Sequence, residues 1–234
     1  MNIVVVIAGG VGSRMGANVP KQFIKVKGKH VLAYTLESFQ NNNLIDAIEV
    51  VCIDGWENDV WEYKTKYGFF KLKWITKGGS SAQESIRNGV YNLKDKVSYK
   101  DNIIIHDGIR PLVEDYVLED LIKKCNQYGN AVTSIPYNEQ IFLIDNEIST
   151  IKYIPRETLR RVATPQAYKF DLLYEKYQEA FTKKIGIYGS SYTNTMMVDL
   201  GVRLYFAAGS DRNIKLTTKG DLEIFEAMLE KGAN

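Results

Sequence analysis

The sequence predicts an α/β protein in which helices cover both faces of one doubly wound, Rossmann-like and mostly parallel sheet. Short runs rich in Val and Ile recur along the chain, and each is followed by a stretch whose apolar residues repeat at helical spacing. Strands that alternate with helices of about 10–15 residues are typical of parallel β-α-β crossovers. The length of 234 residues fits one domain, 1–234, and a hydrophobic content of 45% suffices for a folded core.

The first strand is expected at Ile3–Ile7, a β-branched run that ends at Ala8-Gly9-Gly10 and is typical of a strand buried on both faces. Later strands are expected at Ile48–Ile53, Leu72–Ile75, Asn102–His106, Ala131–Ile135 and Val202–Phe206. Helices are expected at Val31–Phe39, Trp56–Tyr67, Ser81–Leu93, Val117–Tyr128, Asp171–Phe181 and Lys219–Glu230.

Residues 136–160 break this alternation. They contain two short extended runs on either side of Asp145-Asn146, a pair that favours a turn. We therefore expect a projecting antiparallel β-arm. Such an arm serves as a lid, as a dimerisation arm or as a plain surface hairpin, and we favour a homodimer formed through it.

The charge balance argues against a general nucleic-acid or membrane-surface binder. Thirty basic and 28 acidic side chains give a formal net charge of +2, without the basic excess that such binders carry. No apolar run approaches the roughly 20 residues of a membrane-spanning helix. The start, MNIVVVIAGG, lacks the basic residues of a signal peptide. The expected location is the cytoplasm.

Cysteine and histidine are too sparse for a thiol or imidazole metal site. Cys52 and Cys125 belong to no Cys-x-x-Cys pattern and are expected to be buried thiols. With two histidines in the whole chain, any metal must be bound by oxygen ligands.

The glycine-rich stretch AGGVGSRMGANVPKQF, residues 8–23, follows the first strand directly. Glycines there let the backbone turn tightly and approach an anion. No Lys-Ser/Thr pair closes the stretch as in a Walker loop, and the glycine spacing departs from the dinucleotide fingerprint. A nicotinamide oxidoreductase is therefore a weak alternative.

Charge in the same region supports an anionic ligand. Residues 1–36 contain five cations and no acidic residue. A solvated basic face is one explanation. Arg14 and Lys21, which flank the loop, are better explained as catalytic cations that neutralise charge on a transferring phosphate and on a pyrophosphate leaving group.

Two further segments complete the candidate site. Asp107 follows the run Asn102–His106 and so lies at the carboxyl edge of the predicted sheet, where it can bind Mg²⁺ against phosphates, although a turn or helix-capping aspartate fits equally well. Arg110 is expected to brace this loop. The glycine- and serine-rich start of the helix at Ser81–Leu93 offers groups for reading a base edge, or is an ordinary helix N-terminus.

Five ordered motifs together resemble the IspD/TarI family of CTP-dependent polyol-phosphate cytidylyltransferases. The motifs are AGGVGSRMG…PKQF, GGSSAQESIRNGV, HDGIRP, RVATPQAY and NIKLTT, and they run from residue 8 to residue 218. The resemblance implies an enzyme that uses CTP, Mg²⁺ and a polyol phosphate to form a CDP-alditol and pyrophosphate.

The resemblance also assigns roles to matching residues. On the nucleotide side, it implies backbone contacts from Ala8, Gly9 and Gly10, cytosine recognition by Gly79 and Ser85, transition-state stabilisation by Arg14 and Lys21, and Mg²⁺ binding by Asp107. On the acceptor side, it implies phosphate binding by Arg156 and Lys215, with Gln140 in the acceptor segment.

Departures from the family pattern concern mainly the acceptor. Ala82 replaces a usual arginine, Glu139-Gln140 replaces an Asp-Thr pair of the methylerythritol enzymes, and residues 191–197 replace their acidic Thr-Asp-Glu segment. We therefore favour ribitol 5-phosphate over 2-C-methyl-D-erythritol 4-phosphate. A non-catalytic nucleotide-binding module is disfavoured, because the charge-neutralising residues are all present.

Overall fold

The computed structural model describes residues 1–10, 19–189 and 192–231. The strands are β1 (Asn2–Ala8), β2 (Lys25–Val26), β3 (Lys29–His30), β4 (Ala47–Cys52), β5 (Leu72–Lys77), β6 (Asn102–Asp107), β7 (Asn130–Pro136), β8 (Ile141–Leu143), β9 (Lys152–Ile154), β10 (Arg160–Lys169) and β11 (Phe206–Ala208). The α-helices are α1 (Val31–Asn41), α2 (Glu57–Lys66), α3 (Ala82–Asn92), α4 (Asp115–Tyr128), α5 (Phe170–Lys183), α6 (Thr193–Asp199) and α7 (Lys219–Lys231). Two short 3₁₀ turns lie at Lys21–Phe23 and Arg156–Thr158.

Seven of these strands form the central sheet, in the order β11-β7-β10-β6-β1-β4-β5. Every neighbouring pair is parallel except the pairs that β10 makes with β6 and β7. Strand β1 pairs with β4 on one side and β6 on the other, so the chain winds outward in opposite directions from β1. Such a reversal of winding leaves a crevice at the carboxyl ends of the two central strands.

Alternating side chains of β1 pack on opposite faces of the sheet, which explains its unbroken apolar sequence. Val4 and Val6 lie in one core with helices α1, α2 and α4. Ile3 and Val5 lie in the other core with α3, α5 and α6. The doubly wound, mostly parallel fold expected from the sequence is confirmed.

The last strand was expected at Val202–Phe206, and that prediction is wrong, because pairing begins only at Phe206, opposite Val132. Before that point the side chain of Asn130 takes the place of a strand: its Nδ2 donates to the Arg203 carbonyl and its Oδ1 accepts from the Tyr205 amide. Residues 203–205 are therefore joined to β7 by the Asn130 side chain and by one backbone hydrogen bond, from the Val132 amide to the Tyr205 carbonyl.

The arm between β7 and β10 contains the expected antiparallel hairpin. Strands β8 and β9 form a two-stranded sheet of their own, and Asn146 bridges to Ser149 at its tip. Its isoleucines are largely exposed, with Ile144 at 80%, Ile148 at 95% and Ile151 at 90%. Apolar side chains in such a cluster are typical of a surface that another molecule covers.

Within the described residues, no helix is both long and apolar enough to span a membrane. Cys52 in β4 and Cys125 in α4 are free thiols buried in the same hydrophobic core, as expected.

Glu49 in β4 has a buried carboxyl group. Its Oε1 accepts hydrogen bonds from the Thr76 hydroxyl and from Asn92 Nδ2, the latter at 2.9 Å. Its Oε2 is buried and has no hydrogen-bond partner among the described residues. Burial raises the pKa of Glu49 to about 7, although the two hydrogen bonds favour the ionised form. Glu49 is therefore partly protonated at neutral pH.

We predict that Glu49→Gln stabilises the protein at pH 8 but not at pH 5. A carboxyl whose pKa is raised on folding binds more protons in the native state, so the free energy of unfolding falls as pH rises from the unfolded value near 4.5 through about 7. The glutamine variant does not titrate, so it lacks this decrease in the free energy of unfolding, which amounts to on the order of 2–3 kcal/mol between pH 5 and pH 8. Urea unfolding at several pH values measures it, and the exposed Glu119→Gln is the control. Parallel profiles for wild type and Glu49→Gln would contradict the prediction.

Candidate active site

A cleft of about 640 Å³ opens at the carboxyl ends of β1 and β6, where the winding of the sheet reverses. It brings together eight of the residues singled out from the sequence. These are Ala8, Gly9, Gly10, Lys21, Gly79, Ser85, Asp107 and Lys215. Arg14 lies outside the described residues. Arg156 and Gln140 lie on the arm and are not among the described residues that line the cleft.

The glycine turn at the end of β1 packs tightly against the loop that precedes α3. A Cβ atom on Gly9 would lie 3.1 Å from Ser85 Oγ and 3.4 Å from the Gly78 Cα. On its other side, the turn contacts Gln22, whose Nε2 donates to the carbonyls of Ala8 and Gly10. Sequence reasoning missed Gln22, although it belongs to the PKQF motif.

The loop before α3 is held by its own hydrogen bonds. Ser85 Oγ accepts from the Gly79 amide at 3.0 Å and donates to the Ser81 carbonyl at 2.9 Å. The Glu84 carboxylate accepts from the Ser80 amide at 2.8 Å, and a Cβ on Gly79 would lie 2.4 Å from Glu84 Cγ. A hydroxyl can accept a second hydrogen bond, so Ser85 keeps one lone pair for a ligand donor.

A buried polar network supports this loop from behind. The Tyr177 hydroxyl donates to Gln83 Oε1 at 2.9 Å and lies 2.8 Å from Thr193 Oγ1. Gln83 Nε2 donates to the Gly186 carbonyl at 2.7 Å. The start of α3 is thereby joined to α5 and to the start of α6. Tyr192, which precedes α6, lies in the cleft wall with its ring centroid 5.8 Å from Lys215 Nζ.

Asp107 is the charged centre of the cleft. Its Oδ2 lies 3.0 Å from Arg110 Nε and 3.1 Å from Lys215 Nζ, and its amide donates to Thr164 Oγ1 at 3.1 Å. Burial would raise the pKa of Asp107, but the adjacent Lys215 and Arg110 cations outweigh burial and hold the pKa below its usual value. The carboxylate is therefore ionised at neutral pH.

The loop after β6 is braced from the core side, as expected for Arg110. His106 Nε2 donates to the Arg110 carbonyl at 2.9 Å, and Arg110 Nη1 donates to the Asn213 carbonyl at 2.8 Å. Burial lowers the pKa of His106 to about 4, so its ring is neutral. These bonds join the HDGIRP and NIKLTT motifs, which are about 100 residues apart in sequence.

The donor set at Asp107 fits a magnesium ion that is shared with a ligand. No group of three or more His, Cys, Asp or Glu side chains comes together within the part of the chain that the structure describes. Mg²⁺ usually keeps several waters and binds through one or two carboxylates together with substrate phosphates. One ionised carboxylate beside a glycine-lined cleft meets that requirement.

Comparisons with known proteins agree on one family. The family model "IspD: 2-C-methyl-D-erythritol 4-phosphate cytidylyltransferase" matches residues 2–231. Ribitol-5-phosphate cytidylyltransferase from Lacticaseibacillus paracasei is 56% identical over 97% of each chain. 2-C-methyl-D-erythritol 4-phosphate cytidylyltransferase from Clostridium acetobutylicum is 36% identical over 100% of this chain and 99% of the other. A crystal structure of 4-diphosphocytidyl-2C-methyl-D-erythritol synthase superposes with a TM-score of 0.79 at 25% identity, covering 97% of each chain.

We predict that Tyr177→Phe lowers the free energy of unfolding by about 1–3 kcal/mol, because it leaves a buried Gln83 oxygen without its donor. Urea unfolding measures the change. Tyr174→Phe, on the same helix, is the matched control, since the hydroxyl of Tyr174 makes no hydrogen bond with the described residues. Equal stability of the two variants would mean that the network does not support the loop.

Proposed function

This chain belongs to the IspD family of cytidylyltransferases, and we propose that it transfers CMP from CTP to ribitol 5-phosphate, forming CDP-ribitol and pyrophosphate. The choice of ribitol 5-phosphate as the acceptor rests on sequence identity. The chain is 56% identical to the ribitol-5-phosphate enzyme of Lacticaseibacillus paracasei and 36% identical to a methylerythritol enzyme. We place the reaction in the cytoplasm, where CTP is available.

The cleft supplies separate groups for the base and for the phosphates. We assign the cytosine, whose exocyclic amine is a donor, to Gly79 and to the second lone pair of Ser85. We assign the triphosphate to the backbone of Ala8, Gly9 and Gly10. Lys21 also lines the cleft.

The reaction is an in-line displacement at phosphorus. A phosphate oxygen of the acceptor attacks the α-phosphorus of CTP, a new P–O bond forms, and the bond to the oxygen bridging the β-phosphate breaks with its electron pair leaving on pyrophosphate. The protein positions both phosphates and neutralises the charge that develops. Lys21 and Arg14 are the cations that we assign to this charge.

We assign the Mg²⁺ ion to the carboxylate of Asp107. When bound, the ion would neutralise charge on the CTP phosphates. Asp107 itself is kept ionised, and Arg110 and Lys215 hold its direction through Oδ2.

The acceptor fits a second, polar recess beside the cleft. This recess has a volume of about 310 Å³, is lined in part by Arg110, and shares Lys215 with the cleft. Its wall carries the hydroxyls of Thr133, Ser134 and Ser210, groups suited to the hydroxyls of a polyol. Lys215 at the junction is placed to bind the acceptor phosphate next to the α-phosphate of CTP.

A panel of acceptors tests the proposed function. Pyrophosphate release is measured with CTP and Mg²⁺ against ribitol 5-phosphate, 2-C-methyl-D-erythritol 4-phosphate, and other tetritol, pentitol and hexitol phosphates. We expect kcat/KM for ribitol 5-phosphate to exceed the others by orders of magnitude. A preference for the methylerythritol phosphate, which the family description favours, would reassign the acceptor. No turnover with any acceptor would refute the proposal.

We predict that Asp107→Asn lowers kcat by roughly 10²-fold or more at ordinary Mg²⁺ concentrations, because the metal and the two cations lose their counter-charge. Initial rates over a range of Mg²⁺ concentrations measure the effect, with the exposed Asp171→Asn as the control. Full activity of Asp107→Asn would assign this carboxylate a purely structural role.

We also propose that the arm of one copy completes the site of a second. Arg156 is half-exposed and bonds locally, to Glu157 and to the Asn138 carbonyl, instead of lining the cleft of its own chain. Gln140 lies on the same arm. The exposed isoleucines of the arm offer an apolar surface for the partner.

Mixed dimers test this arrangement. Arg156→Ala and Lys215→Ala should each lose most activity at low acceptor concentration, because each removes a phosphate contact. Co-expression of the two variants should restore activity to about a quarter of wild type, since half of the dimers are mixed and each mixed dimer has one intact site. A mixture that stays as inactive as its components, or a monomeric mass in light scattering, would contradict the proposal.

A further inference from the structure

Gln22 occupies an unusual position between the two phosphate-facing elements of the cleft. It follows Lys21 in the 3₁₀ turn Lys21–Phe23 and is only 2% exposed. Its Nε2 lies 2.7 Å from the Ala8 carbonyl and 2.9 Å from the Gly10 carbonyl. Both hydrogens of the side-chain amide are thus used on the glycine turn.

The turn that carries Gln22 is itself firmly anchored. Phe23 is buried and stacks on Trp56 with ring centroids 4.2 Å apart and an interplanar angle of 18°. The Phe23 amide donates to the Pro20 carbonyl at 2.8 Å. Gln22 therefore joins the glycine turn to an anchored segment of the chain.

Peptide geometry gives this contact a consequence for ligand binding. In a planar trans peptide, the N–H points away from the C=O of the same unit. The Ala8 carbonyl accepts from Gln22 Nε2 at 2.7 Å and from the Ile53 amide at 3.2 Å, so the amide of Gly9 points away from both donors. Without Gln22, the peptide between Ala8 and Gly9 keeps only the longer of these two hydrogen bonds, and a glycine peptide rotates with little steric cost.

The affinity for an anion depends on which way this peptide unit points. An amide N–H in the cleft attracts a phosphate, whereas a carbonyl oxygen in the same place repels it. A neutral base and ribose do not respond in the same way, and they are assigned to a different loop, at Gly79 and Ser85.

We infer that Gln22 is a positioning residue that helps to hold the peptide unit between Ala8 and Gly9 with the Gly9 amide toward the triphosphate of CTP. It also sets the distance between this turn and Lys21, its neighbour in the chain. The inference rests on the proposed function, because it takes CTP as the ligand.

The test compares the binding of a ligand that has the triphosphate with the binding of one that lacks it. Dissociation constants of CTP and of cytidine are measured by displacement for the wild type, Gln22→Met and Gln22→Glu. Methionine preserves the size of the side chain without donors, and glutamate places acceptors against both carbonyls. The control is Gln40→Met in α1, where a buried glutamine Oε1 accepts from the Lys71 amide away from the cleft.

For Gln22→Met we expect CTP to bind roughly 10-fold or more weakly, as for lost hydrogen bonds to a charged group, with cytidine unchanged within about 2-fold. kcat should fall as well, and Gln22→Glu should be worse than Gln22→Met if it folds. Gln40→Met should leave both affinities unchanged. Equal weakening of CTP and cytidine, or no weakening of CTP, would overturn the inference.

The same titrations separate this inference from the proposed function. A wild-type protein that binds CTP no better than UTP or ATP would refute the proposed function before any variant is compared. A wild type that is selective for CTP, with Gln22 variants that keep full CTP affinity, would refute only the role of Gln22.

Discussion

The parallel pairing of β1 with β6 is the constraint on which the cleft depends. Their register places Ile7 opposite Asp107, so the glycine turn and the Asp107 carboxylate emerge side by side. Because the crossovers from these strands leave in opposite directions, nothing in the sheet itself fills the space between them. The position of the cleft therefore follows from the order of the strands in the sheet. Its chemistry comes from the two loops that follow β1 and β6.

Ion pairs then fix the positions of the charged side chains in the cleft. Asp107 is partly buried between cations that come from different parts of the chain, Arg110 from its own loop and Lys215 from the segment before α7. Each partner lowers the cost of burying the other, as is usual for paired charges in partly enclosed sites. The loops that carry them are joined by a backbone hydrogen bond from the Leu216 amide to the Ile109 carbonyl and by the bond from Arg110 Nη1 to the Asn213 carbonyl, so the charges keep their spacing before any substrate binds.

Much of this arrangement was predictable because it is written in local patterns. The expected bounds of β1, β4, β5, β6 and β7, and of every expected helix, agree with the structure to within two residues. The glycine turn and Asp107 were identified from residue types at strand ends, Lys21 from the excess of cations around the glycine-rich stretch, and Lys215 from the family resemblance. What escaped prediction depends on contacts across the chain: Gln22 with Ala8, and Tyr177 with Gln83, 94 residues apart. Strand β10 was missed because Pro165 and a shift of register between Ala163 and Gln166 interrupt its pattern.

The hairpin of β8 and β9 forms a small sheet of its own, so the groups assigned to the two substrates lie on different parts of the fold. Groups for the nucleotide sit on the rigid central sheet, where a change in one loop disturbs a packed core. Groups assigned to the acceptor sit partly on a peripheral hairpin whose side chains are mostly exposed. Substitutions there carry little cost to stability. A lineage can thus exchange one polyol phosphate for another by drift in the arm while its CTP chemistry stays intact, and a grafted arm offers the engineer the same route.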